Sequence, residues 1–249
     1  MKFAQIGTFL CYSFCMKDIS TLAPGLVRLE KYVAQLGLAS RREAKALILT
    51  GHISVNGSVM RETGFGVDPD QDQVELVGTI PEKQTVAIYK PRGIETSKTS
   101  PESRDIHDEF PQFAHLAPIG RLDKDSEGLI LLSSDGVLAR AITGEHSDVD
   151  KEYVVTVREP VTGEALEKMA RGMMLDGQKT LPAKTEKISH ASFSIILREG
   201  RKHQIRRMCD ACHLTVEKLL RVRIGAITLG ALRPGDCRIL LADEVNMIK

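Results

Sequence analysis

Between residues 27 and 60 the spacing of apolar side chains changes from a helical to a strand period, and that switch limits what the start of the chain can fold into. Leu29, Tyr32, Val33 and Leu36 fall at i, i+3, i+4 and i+7, one face of a helix that stops at Gly37. Ser40 stands three residues before Glu43, the spacing of a capping box. Ala44, Leu47 and Ile48 form the buried stripe of a second helix that ends at Gly51. Ile53, Val55 and Val59 then alternate around Asn56-Gly57, a pair that takes the positive φ of a tight hairpin turn. The expected unit is helix, turn, helix, hairpin. Arg41, Arg42 and Lys45 crowd the first turns of its second helix, where free backbone N–H groups and positive side chains can hold phosphates together.

Residues 62–82 carry six acidic residues and no basic ones, with Gly64, Gly66, Pro69 and Pro81 among them, and read as the end of the small unit and a linker. Beyond residue 85 short apolar runs dominate. Strands are expected over 86–89, 129–132, 154–157, 193–197 and 222–229, and helices around Leu166, Met169 and Ala170 and over 205–212. This mixture predicts an α+β chain: a small domain over 27–75, a linker over 76–84 and a larger mixed-sheet domain over 85–249. Residues 1–26 match neither pattern and read as a disordered or non-native-start extension. No apolar run approaches the roughly 18 residues of a membrane span, so a membrane partner is not expected. Five Cys without dense spacing fit reduced thiols and a cytoplasmic protein.

The formal net charge of +1 hides an asymmetry. Residues 28–61 hold six basic residues against two acidic ones, and residues 198–223 hold eight against three. Two basic regions fit focused patches for an anionic partner, or equally a solvated mixed surface.

The segment Gly120-Arg121-Leu122-Asp123-Lys124-Asp125-Ser126-Glu127-Gly128 is the richest in chemistry. It matches the opening of a calcium loop, but Ser134 stands where such a loop needs a bidentate Glu. Cys209-Asp210-Ala211-Cys212-His213 has the letters of a haem attachment site without an export signal, and with His203 it makes an incomplete zinc set. Asp123, in a tight loop before a buried strand, reads as a catalytic carboxylate or as a loop salt bridge; a cation within a few ångströms favours its charged form.

Gly120-Arg121-Leu122-Asp123, Ser126-x-Gly128-Leu129, Lys90-Pro91-x-Gly93, Lys151-x-Tyr153, Arg201-x-His203-Gln204-Ile205-Arg206-Arg207-Met208 and Arg221-x-Arg223-Ile224-Gly225 together resemble the signature of pseudouridine synthases of the RsuA/RluB/RluE/RluF type, most like the RluF branch. Residues 27–60 resemble the S4 RNA-binding domain that precedes the catalytic domain there, and the resemblance covers about residues 27–241. It implies isomerisation of a uridine to pseudouridine in structured RNA, either ribosomal RNA, above all of the large subunit, or a transfer-RNA anticodon loop. It implies an essential ionised carboxylate at Asp123, Arg206 paired with it, and Tyr153 stacked on the uracil and able to take the C5 proton. Arg121 would fill the space a flipped base leaves, Lys202 and Arg207 would hold RNA at the cleft, and Arg28, Arg41, Arg42 and Lys45 would hold it on the small domain. It implies no cofactor and no metal; a monomer whose two domains can move about the 76–84 linker is expected. Ser126 stands where many relatives have Thr, and His213 where a Gly is common. The alternatives are a non-catalytic, S4-type, ribosome-associated RNA-binding protein and a metal-dependent hydrolase on Asp123, Asp125 and Glu127.

Overall fold

A computed structural model describes residues 25–79, 82–144 and 147–248, so the expectation for the first 26 residues lies outside it except at Gly25 and Leu26. The small unit runs β1 (Val27–Arg28), α1 (Leu29–Gln35), α2 (Arg41–Thr50), β2 (Ile53–Val55), β3 (Ser58–Met60), β4 (Gly66–Val67) and β5 (Val74–Leu76). The capping box of α2 is formed: the Glu43 carboxylate accepts from Ser40 N–H at 2.7 Å, and Ser40 Oγ accepts from Glu43 N–H at 3.3 Å. A cap of this kind contributes about 1 kcal/mol. Asn56 at φ 49° and Gly57 at φ 78° turn β2 into β3, with Val55 opposite Ser58. Leu29, Val33, Ala44, Ile48, Ile53 and Val67 make a fully buried core.

One expectation fails in this unit. Leu36 caps α1 and is 46% exposed, because the chain leaves the helix there instead of completing a further turn of the stripe. Within the acidic stretch, at the end of the small unit, β4 pairs with β1, and β5 pairs with the outer edge of β2. These strands are two and three residues long, too short to show alternation, and an exposed Glu75 lies between the half-buried Val74 and Leu76.

The larger unit contributes β6 (Thr85–Lys90), α3 (Ile106–Glu109), a 3-10 turn at Pro111–Phe113, β7 (Ala117–Ile119), β8 (Glu127–Ser133), α4 (Gly136–Thr143), β9 (Lys151–Val157) and α5 (Gly163–Ala170). It continues through β10 (Met174–Leu175), β11 (Gln178–Lys179), β12 (Lys184–Ser189), β13 (Ser192–Leu197), α6 (Gln204–Asp210), β14 (Val216–Ile224), β15 (Ile227–Thr228), β16 (Cys237–Ile239) and α7 (Ala242–Asn246). One sheet dominates, in the order β12-β13-β9-β14-β8-β6-β16, with β7 added to β8 and β15 to β14. Among the described strands of this sheet, the β8 to β14 pairing is parallel and the others antiparallel. The centre is covered on both faces, which explains its unbroken apolar runs. Val86, Ile88, Ile130 and Leu132 pack with Ile106, Phe110 and Leu122, while Ala87, Leu129 and Leu131 pack with Leu138 and Ile142 of α4. The β9 and β13 half packs on α5 and α6 through Val155, Phe193, Ile195, Met169 and Met208.

The expected strand over 222–229 proves to be a hairpin. β14 begins at Val216, and a turn at Gly225 leads into β15. After α6, His213 itself takes the left-handed conformation that favours Gly, at φ 56°, and Leu214 N–H closes the turn on Cys209 O. The two units also touch: a Cβ on Gly136, at the start of α4, would overlap Ser40 of the α2 cap.

Candidate active site

The loop between β7 and β8 carries Asp123, and its backbone is held from four directions. Thr96 Oγ1 donates to Leu122 O at 2.7 Å and accepts from Leu122 N–H at 2.9 Å. Gly93 N–H, in the Lys90-Pro91-x-Gly93 turn, donates to Lys124 O at 2.8 Å. Arg206 Nη2 donates to Asp125 O at 3.0 Å and lies 3.4 Å from Ser126 Oγ. Arg221 donates from Nε to Leu129 O at 2.6 Å and from Nη1 to Arg121 O at 3.3 Å. Inside the loop, Ser126 N–H closes on Asp123 O at 3.0 Å. Each carbonyl from Arg121 to Asp125 therefore has a donor. The Asp123 side chain stays 39% exposed at the surface of this fixed loop, beside the exposed Arg121.

The loop enters β8 at Gly128, whose φ of +107° lies in the left-handed half of the map. A Cβ there would overlap the carbonyl oxygen of Arg221, so glycine is what lets β14 come alongside at the Arg221 to Gly128 register. Arg221 also stands opposite Tyr153 on β9. Tyr153, partly buried, packs against two of the apolar clusters, one on each side of its position in the sheet.

Lys90 is the most unusual charge nearby. It is 0% exposed, and its Nζ donates to Pro91 O at 2.9 Å and Ile94 O at 2.6 Å. Burial pulls its ammonium down to about 8, against the opposing pull of Asp123, Glu127 and Asp125. Lys151 is also lowered, first by burial and then by the charge of Arg221. Burial raises Tyr89, with a further push from Glu127.

Two expected contacts are corrected. Arg206 grips the loop carbonyl of Asp125; among the described residues the side chain beside the Asp123 carboxylate is that of His203, whose Nε2 lies 3.5 Å from Oδ1. The reason is where α6 starts. His203 is the residue before its first turn, in a left-handed backbone at φ 52°, and its side chain makes no capping bond. Arg207 is not free at the cleft, because it is paired with Asp176 of the turn between β10 and β11. Lys202 is exposed, as are Arg41, Arg42 and Lys45 on α2, while Arg28 is half-buried at the end of β1. Glu127 of the calcium-like loop pairs with Lys218 at 2.9 Å. Cys209 is a buried core thiol, pushed up to about 12 by burial. Thr96 carries no local signal of its role, since its partner Leu122 lies 26 residues away. No helix among the described residues is long and apolar enough to cross a membrane.

A small helix-and-hairpin unit with a basic helix, followed by a mixed sheet presenting a carboxylate on a braced loop, defines a two-part α+β protein. The RNA pseudouridylate synthase family model matches residues 84–211, and the S4 domain model matches residues 27–74. The chain is 36% identical over 235 residues to the ribosomal large subunit pseudouridine synthase B of Bacillus subtilis, covering 89% of this chain and 95% of that one. It is 38% identical over 226 residues to the dual-specificity RNA pseudouridine synthase RluF of Escherichia coli, covering 88% and 77%. A crystal structure of a pseudouridylate synthase superposes with a TM-score of 0.68 at 30% identity, over 90% of this chain and all of that one. The chain belongs to the RNA pseudouridylate synthase family and carries an S4 domain ahead of the synthase fold.

Proposed function

We propose that this protein isomerises a uridine of large-subunit ribosomal RNA to pseudouridine, with Asp123 as the essential ionised carboxylate. The observation that carries the reading is the bracing of the 120–128 loop: a half-exposed carboxylate held on a backbone whose carbonyls are tied by Thr96, Gly93, Arg206 and Arg221. Such pre-positioning lowers the cost of aligning the reacting atoms. The bond from N1 to C1′ breaks, the uracil turns, C5 bonds to C1′, the C5 proton leaves and N1 ends protonated. Asp123 acts at the first step, by attack on the base or the sugar or by taking a sugar proton. Tyr153 stacks on the uracil, its phenolate form being the one able to take the C5 proton, and Arg206 orients the loop that presents Asp123.

The uridine must leave its stack to reach this loop, at a cost of about a few kcal/mol. Arg121 occupies the vacated space, and phosphate contacts from Lys202 and from Arg28, Arg41, Arg42 and Lys45 offset the cost. The protein acts in the cytoplasm as a monomer. The large-subunit target is supported by the Bacillus subtilis relative's name; the Escherichia coli relative is named for dual specificity, so a transfer RNA is the second substrate to test.

The test uses ribosomal RNA from a strain of the source organism lacking the gene. Wild type and Asp123→Asn are compared by carbodiimide mapping of pseudouridine, with RNA affinity measured alongside. Product from wild type alone, at equal affinity, is expected. Equal product from both proteins refutes the mechanism, and RNA binding without product from either favours a non-catalytic RNA-binding protein.

A further inference from the structure

Arg221 is 4% exposed, and its guanidinium reaches the carbonyls of Arg121 and Leu129, one on each side of Asp123. Its remaining nitrogen, Nη2, is buried with no hydrogen-bond partner. Lys90 and Lys151 lie near enough for their charges to oppose it. A guanidinium buried with a bare nitrogen and two cationic neighbours is a poor choice for stability, since an apolar side chain of similar volume fills such a site at less cost. An orphan buried donor of this kind calls for an explanation other than packing.

The geometry supplies one. The loop between the two carbonyls holds the reactive carboxylate, and a planar fork is suited to grip both ends at once. The same residue sits opposite Tyr153 on one side and Gly128 on the other. It therefore ties the loop that presents Asp123 to the strand that presents the aromatic ring. We propose that Arg221 is a positioning residue for the isomerisation: it sets the reach of Asp123 by clamping both ends of its loop against the strand facing Tyr153. The proposal rests on the uridine-isomerase reading above.

The test compares wild type, Asp123→Asn, Arg221→Lys and Arg221→Gln on the same unmodified ribosomal RNA, with kcat, KM and thermal midpoints. Lysine keeps the charge on a single nitrogen and glutamine keeps a neutral amide, so neither reproduces the planar fork whose Nε and Nη1 reach the two carbonyls separately. For a loop displaced by about 1 Å, kcat should fall about 100-fold in both variants while KM stays within about twofold. Wild-type kcat in either folded variant overturns the proposal, as does a loss confined to KM. Unfolding of both variants assigns Arg221 to stability alone and overturns it as well. The two readings fail separately: an Asp123→Asn protein as active as wild type sinks the isomerase reading, whereas an inactive one beside a fully active Arg221→Lys sinks only the clamp.

Discussion

Replacing Lys90 with Met tests whether the floor of the site carries a buried ammonium. Burial moves this group from 10.5 to about 8. At about 1.4 kcal/mol for each unit, keeping it charged inside the fold costs roughly 3 kcal/mol. Below about pH 8 lysine is protonated in both the folded and the unfolded chain, and the full cost is present. Between about pH 8 and 10.5 the folded state has shed the proton and the unfolded state has not, so stability rises with pH. Above 10.5 both forms are neutral and the cost is gone. Urea unfolding of wild type and Lys90→Met at steps across this range isolates the contribution. The difference, wild type minus variant, should climb by roughly 3 kcal/mol from pH 7.5 to 10.5. The Cys209 thiol, raised by burial to about 12, titrates alike in both proteins and drops out of the difference. So does Tyr89, which burial also raises. Stripping the donor from Pro91 O and Ile94 O adds a fixed penalty of about 1–3 kcal/mol per carbonyl. That penalty shifts the curve without tilting it. A difference that stays flat across the range would show that the ammonium is not desolvated where the structure puts it.

Gly128→Ala should lower the urea midpoint and abolish turnover, because the new methyl group meets the Arg221 carbonyl in a backbone already at φ +107°. A folded, fully active alanine variant would mean that β8 and β14 do not run side by side there. Thr96→Val removes the hydroxyl that bonds both Leu122 N–H and Leu122 O, costing about 1–3 kcal/mol and slowing turnover more than it weakens RNA binding. Equilibrium unfolding and single-turnover rates check the two effects. Arg41→Ala with Arg42→Ala should weaken RNA binding and flatten its dependence on log salt by about 0.7–0.9 for each phosphate that the double variant leaves unneutralised. An unchanged slope in a salt titration would remove α2 from the RNA surface.

The parts of this chain that were legible are those whose signal lies within a few residues. The Ser40 and Glu43 box, the Asn56-Gly57 turn and the apolar run of β8 are local, and each forms where its spacing predicts. The small strands β4 and β5 escaped because two or three residues cannot display a period, and their pairing with β1 and β2 reaches across the unit. The helix α4 escaped for a related reason. Its cap, Asp135 accepting from the N–H groups of Val137 and Leu138, sits in the polar break Ser133-Ser134-Asp135-Gly136, and the helix beyond it is only 8 residues long, too short to repeat its stripe.

The site divides along the same line. Asp123 and Gly128 were visible because the loop that needs them is nine residues long, whereas the groups that brace it come from 26 residues upstream and 80 to 100 residues downstream. Arg206 was expected beside Asp123 from the resemblance, whereas His203, three residues earlier, carried no such expectation. What decided between them was the first residue of α6. Starting at Gln204, the helix takes its first backbone bond on His203 O but leaves the His203 side chain without a capping role, turned toward Asp123, and aims Arg206 at the loop backbone. A carboxylate paired, among the described residues, with a half-exposed imidazole 3.5 Å away is less tightly engaged than one locked in a buried guanidinium fork. The arginines hold the peptide backbone and leave the carboxylate lightly engaged, as the role proposed for Asp123 requires. Rigidity of the loop and availability of its side chain are thus supplied by different residues, a division that follows from three-dimensional contacts and not from any local pattern.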